Sequence, residues 1–185
     1  FRPGNSSPQS HLRSLVAQCR RLLPQGTRLR LRSDSAAYNA EVLRYCDKHG
    51  IEFSISADLD AAVQASIEAI PDEKWQLIVR GEESFLLAET VHVIGHKSKH
   101  ERLPAFRLIV TKKLSGQLEL FKDPIKRRAI IASLPETMST LEVLDHHNDR
   151  GRMEKAIGEL KDGFGMDRLP CGQLMANAAY LQVCL

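Results

Sequence analysis

Thr27-Arg28-Leu29-Arg30-Leu31-Arg32-Ser33-Asp34 alternates without a break. Leu29, Leu31 and Ser33 fall on one side, and Arg28, Arg30, Arg32 and Asp34 on the other. A period of two is the pattern of a strand with one buried face, and this strand ends on a carboxylate. Downstream, residues 36–49 place Tyr38, Val42, Tyr45, Cys46 and His49 on one helical side, with Gly50 as the stop. Ile51–Ala57 reads as a second strand. Leu59, Ala62, Val63, Ser66, Ile67 and Ile70 then form another helical face, closed by Pro71. Strand, helix, strand, helix in this order predicts parallel pairing of the two strands and an α/β domain.

On the amino-terminal side, residues 1–10 are turn chemistry, and the chain opens on Phe1 with no initiator Met, so it is expected to start inside a longer one. Ser7-Pro8 suits a helix start. Leu12, Leu15, Val16, Cys19, Leu22 and Leu23 recur at helical spacing until Pro24 and Gly26 end the run. On the carboxyl-terminal side the pattern changes. Residues 76–79, 89–94, 106–112, 117–121 and 128–133 are short β-branched or alternating runs, separated by Gly81, Gly95, Pro104, Gly116 and Pro124. Ser139-x-x-Glu142 is a capping box for the helix beyond. A last helix opens at Pro170 and carries Leu174, Met175, Ala178 and Leu181. Three segments result: 1–73, 74–134, which is mostly β and partly an antiparallel insertion, and 135–185.

The 185 residues suffice for one domain with a core, and a balance of 26% charged to 43% apolar residues is that of a globular chain. A net charge of +3 excludes a polycation, yet the basic residues cluster at Arg20-Arg21, Arg28/Arg30/Arg32, Lys112-Lys113 and Lys126-Arg127-Arg128, which suits a polyanion partner. Cys19, Cys46, Cys171 and Cys184 lie far apart and are expected to be reduced and mostly packed, as in an intracellular protein. No apolar run is long enough to span a membrane.

Arg150–Lys161 carries the chemistry. Arg150, Glu154, Ile157 and Lys161 fall on one helical line, beside an apolar seam of Met153, Ala156, Leu160 and Phe164. A carboxylate flanked by cations can hold a metal while the cations hold phosphate oxygens. The same spacing also suits an amphipathic surface helix with ordinary charge pairs. His92, His96 and His100 have metal-ligand spacing for a helix, but that stretch reads as strand and turn. Trp75 reads as a packing residue.

His147-x-x-Arg150-x-x-x-Glu154-x-x-x-x-x-x-Lys161 resembles the Tyr–Arg–Glu–Lys signature of DDE transposases from bacterial insertion sequences. Arg32-Ser33-Asp34-Ser35 resembles the run that carries the second catalytic Asp of that group; Arg2-Pro3-Gly4-Asn5 and Asn177 fit as well. The resemblance covers nearly the whole chain in order. It implies an α/β, ribonuclease H-like catalytic core with a β-rich insertion before the Glu helix, lacking its first strands. Residues 1–73 would be the first part of that core, 74–134 the insertion and a core strand, and 135–185 the catalytic and C-terminal helices. It implies cut-and-paste DNA transposition in a bacterial cytoplasm, on the nucleoid. Mg²⁺ (or Mn²⁺) would be held by Asp34 and Glu154 as catalytic carboxylates. Arg150, Lys161 and His147 would contact DNA phosphates. The signature Tyr is His147 here, and the first catalytic Asp would precede Phe1, so this chain alone is expected to be inactive. An open sheet edge at Thr27–Asp34 is expected to favour a dimer. Two alternatives stand beside this reading: a non-catalytic DNA-binding or assembly module from a decayed transposon, and a ribonuclease H-like nuclease.

Overall fold

The computed structural model describes residues 11–94, 105–114, 125–164 and 171–184; the side chains of 114, 125, 126, 152–154, 164, 174, 181 and 184 are outside that description. In chain order the elements are α1 (Leu12–Leu22), β1 (Arg30–Ser33), α2 (Ala40–Lys48), β2 (Glu52–Ala57), α3 (Ala61–Glu68), β3 (Gln76–Arg80), β4 (Glu83–His92), β5 (Phe106–Leu114), β6 (Ile125–Ala132), α4 (Thr140–Asn148), α5 (Gly151–Phe164) and α6 (Leu174–Cys184). The strands form one mixed sheet in the order β1-β2-β6-β5-β4-β3. β1 and β2 are parallel, as a strand–helix–strand unit requires, and every other pairing is antiparallel.

Local chemistry sets the boundaries. The helix expected over 36–49 is two pieces. Asp34 accepts from the Ala36 amide to cap a 3₁₀ turn at Ser35–Ala37, and Asn39 then caps α2 by accepting from the Glu41 amide at 2.7 Å. α2 ends at Gly50, whose φ is +62°. The Ile51 amide reaches the Cys46 carbonyl at 2.9 Å and the Gly50 amide reaches that of Asp47 at 3.2 Å, a Schellman closure. β4 starts at Glu83, six residues before the expected run at 89, because a two-residue turn at Gly81-Glu82 folds it straight back onto β3. Ser139 and Glu142 form the expected capping box at the start of α4. The run at 117–121 and Pro170 lie outside the described residues.

The central strands are apolar at consecutive positions because both faces of the sheet are covered. Leu108, Val110, Ala129 and Ile131 face Val16 of α1, Leu43 and Cys46 of α2, and Val63 and Ile67 of α3. Their neighbours Ile109, Ile130 and Ala132 face Val143 and Leu144 of α4. Phe53 and Phe106 meet edge to face at 5.0 Å within the first core. Trp75 packs at the rim of that core, with the Lys112 ammonium 3.6 Å from the centre of its ring. Cys46 is buried, and its burial pushes the thiol up to about 11. Cys19 and Cys171 are exposed rather than packed. The described side chains of α5 do not form the expected buried seam: Ala156 is exposed and Leu160 only half-buried. No helix of the described residues is long and apolar enough to cross a membrane.

Candidate nucleic-acid-processing site

Alternation along β1 puts three arginines on the α4 side of the sheet and delivers Asp34 at the strand's end. Arg28 and Arg30 both close on Glu52 of β2, Arg30 through Nε at 2.6 Å, and they hold its carboxyl below the usual range despite its partial burial. Arg32 donates to the His146 carbonyl at 2.7 Å, satisfying an orphan acceptor at the end of α4 and tying that end to β1. Asp34 Oδ1 accepts from the Ser33 hydroxyl at 3.3 Å and the Ala36 amide at 3.2 Å. Its Oδ2 stands 3.6 Å from Arg150 Nη1, and the carboxylate is 60% exposed.

The transposase-like signature is divided between two helices. His147 belongs to the last turn of α4, Asp149 and Arg150 make the turn that follows, and α5 begins at Gly151. So the structure brings Arg150 to Asp34, across more than a hundred residues of chain. Glu154 is the fourth residue of α5, and its side chain lies outside the described residues, as does any contact it makes. Lys161 is exposed on the same helix, and the structure gives it no contact with Asp34.

His147, expected to face DNA, has its ring 1% exposed, against β2. Nε2 lies 3.1 Å from the Ser56 hydroxyl, and Nδ1 lies 3.2 Å from the Ser54 carbonyl and 3.3 Å from its hydroxyl. Burial, reinforced by Arg150 and Arg128, lowers its pKa to about 4, so the ring is neutral near pH 7. His146 is also held low, by burial first and then by Arg32 and Arg30. The spacing of the signature does not reveal this burial. The serines that receive the ring were missed, although Ser54 and Ser56 share a face with the β1 arginines by the same period of two. Asn177 is buried at the head of α6, donating to the Cys171 carbonyl at 2.6 Å. His92 is buried between Ser66, at 2.8 Å, and Tyr38, at 3.5 Å; His96 and His100 lie outside the described residues.

The Asp34 carboxylate offers hard oxygen donors to solvent, the donor chemistry that Mg²⁺ or Mn²⁺ takes. Among the described residues no three acidic, histidine or cysteine groups converge into a metal cluster. An open carboxylate at a strand's end beside an arginine has the donor types to hold a cation and a phosphate oxygen side by side. The whole chain, residues 1–185, matches the family described as transposase DDE domain, group 1, and the protein belongs to that family. The family is one of polynucleotidyl transferases, and the six-stranded mixed sheet is consistent with its ribonuclease H-like domain. No curated protein matches the chain.

Proposed function

We propose that the protein is the catalytic domain of a transposase that cuts DNA at the ends of a mobile element and joins the freed 3′-hydroxyl to target DNA. The observation that carries this reading is the approach of Arg150 to Asp34 at 3.6 Å, because Arg150 directly precedes the helix that bears Glu154. Glu154 follows four residues after Arg150, within the first turn of α5. Asp34 and Glu154 would hold Mg²⁺ or Mn²⁺. Bound there, the metal would activate an attacking oxygen and steady the leaving one. Arg150 and Lys161 grip the phosphates and position the strand without reading bases. The Arg32 link to α4 and the buried His147 fix the turn from which α5 departs.

The test incubates the full-length protein of its reading frame with element-end duplex and Mg²⁺ or Mn²⁺. Nicked and strand-transfer products that vanish in Glu154→Gln are expected; products that persist in that variant refute the assignment. Nicking without strand transfer would indicate a ribonuclease H-like nuclease. One observation favours the non-catalytic alternative: the residue at the signature's Tyr position is buried, so it offers DNA no hydrogen bond. Tight DNA binding with no cutting would establish that module instead. β1 is an edge strand among the described residues, and pairing of this edge with a second copy is the dimer we expect. A monomer mass at micromolar concentration in sedimentation would exclude it.

A further inference from the structure

The far face of the molecule, where α1 lies along α2, has no part in the Asp34 site. On α1, Arg13, Ala17, Arg20 and Arg21 recur at i, i+4, i+7 and i+8, so one stripe carries three guanidinium groups while Val16 turns to the core. On α2, Arg44 and Lys48 stand one turn apart with Tyr45 between them. These helices bound an open cleft of about 480 Å³, lined by Arg13, Glu41, Arg44, Tyr45, Lys48 and His49. A second cleft of about 600 Å³ adjoins it and contains Arg20, Arg21, Arg28 and the turn at Gly26. His49 lines both, so the two are one continuous surface.

Five cations of α1 and α2 (Arg13, Arg20, Arg21, Arg44 and Lys48) line this surface against one carboxylate, whereas the whole chain carries only +3; Arg28, at its edge, is closed on Glu52. The single carboxylate, Glu41, is already engaged by Arg13 at 3.0 Å. Aromatic rings are interleaved with the cations. The Arg13 guanidinium lies 5.6 Å from the centre of the Tyr45 ring, and Tyr45 meets His49 at 4.3 Å. Arg20 in turn reaches His49 Nδ1 at 3.0 Å. The face thus carries a net positive charge larger than that of the whole chain, a local excess that attracts a polyanion. From Arg13 to Arg21 α1 advances about 12 Å. One strand of B-form DNA sets a phosphate about every 3.4 Å along the axis, so α1 spans three or four phosphates. Arg28 and Asp34 stand at opposite ends of the β1 stretch, about 20 Å apart in extended chain. The phosphates gripped on α1 and α2 are therefore different ones from the phosphate at Asp34.

We propose that the α1–α2 face is a second DNA-binding surface, which grips the backbone of a duplex without regard to sequence and apart from the Asp34 site. The proposal rests on the reading that the protein works on DNA. The experiment measures anisotropy of a labelled 30-base-pair duplex of mixed sequence with the full-length protein, across a salt series. Arg21→Gln with Lys48→Gln is expected to weaken binding about tenfold and to lower the slope of log K against log salt by about 2. Lys74→Gln with Lys113→Gln removes as many charges at the far end of the sheet and is expected to change affinity less than twofold. Both positions in the test variant are exposed, and an unchanged circular dichroism melt confirms its fold. Equal weakening by the two variants, or an unchanged salt slope, overturns the proposal. So does a parent protein that does not bind the duplex, or that binds an RNA duplex of the same length tenfold more tightly. The two readings fail separately: loss of metal-dependent cutting with intact α1–α2 binding sinks only the catalytic one, and normal cutting with an unchanged Arg21/Lys48 variant sinks only this one.

Discussion

Acidification should destabilise this protein through His147, and the size of the effect follows from where the ring sits. In the folded chain its pKa is about 4, against an ordinary 6.5. Between these values the unfolded chain takes a proton that the native state refuses, so stability is full above pH 6.5 and falls as pH drops toward 4. By pH 5 the loss from this one ring approaches about 2 kcal/mol. That figure is an upper bound. Water does little to screen the ring, which is 1% exposed and has both nitrogens held by β2 serines. His92 and His146 are depressed by burial too, and would add to a raw pH profile. Urea unfolding at pH 7.5 and pH 5.0, in the parent and in His147→Gln, removes that ambiguity. The other histidines and the carboxylates cancel in the difference between the two proteins. The parent should lose more stability on acidification than the variant does, by about 1–2 kcal/mol. Equal losses would refute the claim that His147 is buried neutral.

Arg107→Ala should lower the melting temperature by about 4–8 °C, because it removes a two-bond clasp on Glu89 at 2.6 and 2.8 Å and a bond to the Pro135 carbonyl at 3.0 Å. A drop below about 1 °C in a calorimetric scan would show that the clasp is solvated and weak. Ser139→Ala should cost about 1 kcal/mol in denaturant unfolding by opening the capping box, and Ser139→Asp should recover most of it. Gly50→Ala should cost about 1 kcal/mol, since the added Cβ meets no atom within 4 Å and only the +62° φ opposes it. A neutral result would mean that the turn relaxes.

The parts of the fold legible in the sequence are those that local chemistry decides. The alternation through Thr27–Asp34 marked β1, the helical stripe at 12–23 marked α1, and Ser139 with Glu142 marked the start of α4. Phe85-Leu86-Leu87, a short apolar run, has no period of its own, and only the turn at Gly81-Glu82 assigns it to a strand. The helix over 36–49 broke in two because Asp34 and Asn39 each cap a start, and a count of apolar positions is blind to such competition. The site was legible in part. Spacing nominated Asp34 and Arg150, but their meeting is a property of the sheet. His147 shows the opposite limit: its place in the signature suggested a solvent-facing ring, while the pair of small hydroxyl residues on β2 that takes the ring in lies ninety residues away.

The Asp34–Arg150 contact also bears on how the site is assembled. The guanidinium is 28% exposed and the carboxylate 60%, so the pair is a surface contact rather than a buried strut. Under the proposed function, a cation arriving at Asp34 would compete with Arg150 for the carboxylate, while a phosphate arriving with that cation would offer Arg150 a new partner. Arg150→Ala should therefore tighten Mn²⁺ binding to the DNA-free protein and weaken binding of DNA of every sequence alike. Isothermal titration would read the first effect and anisotropy the second. Weaker Mn²⁺ binding in the variant would mean that Arg150 builds the acidic pocket instead of guarding it.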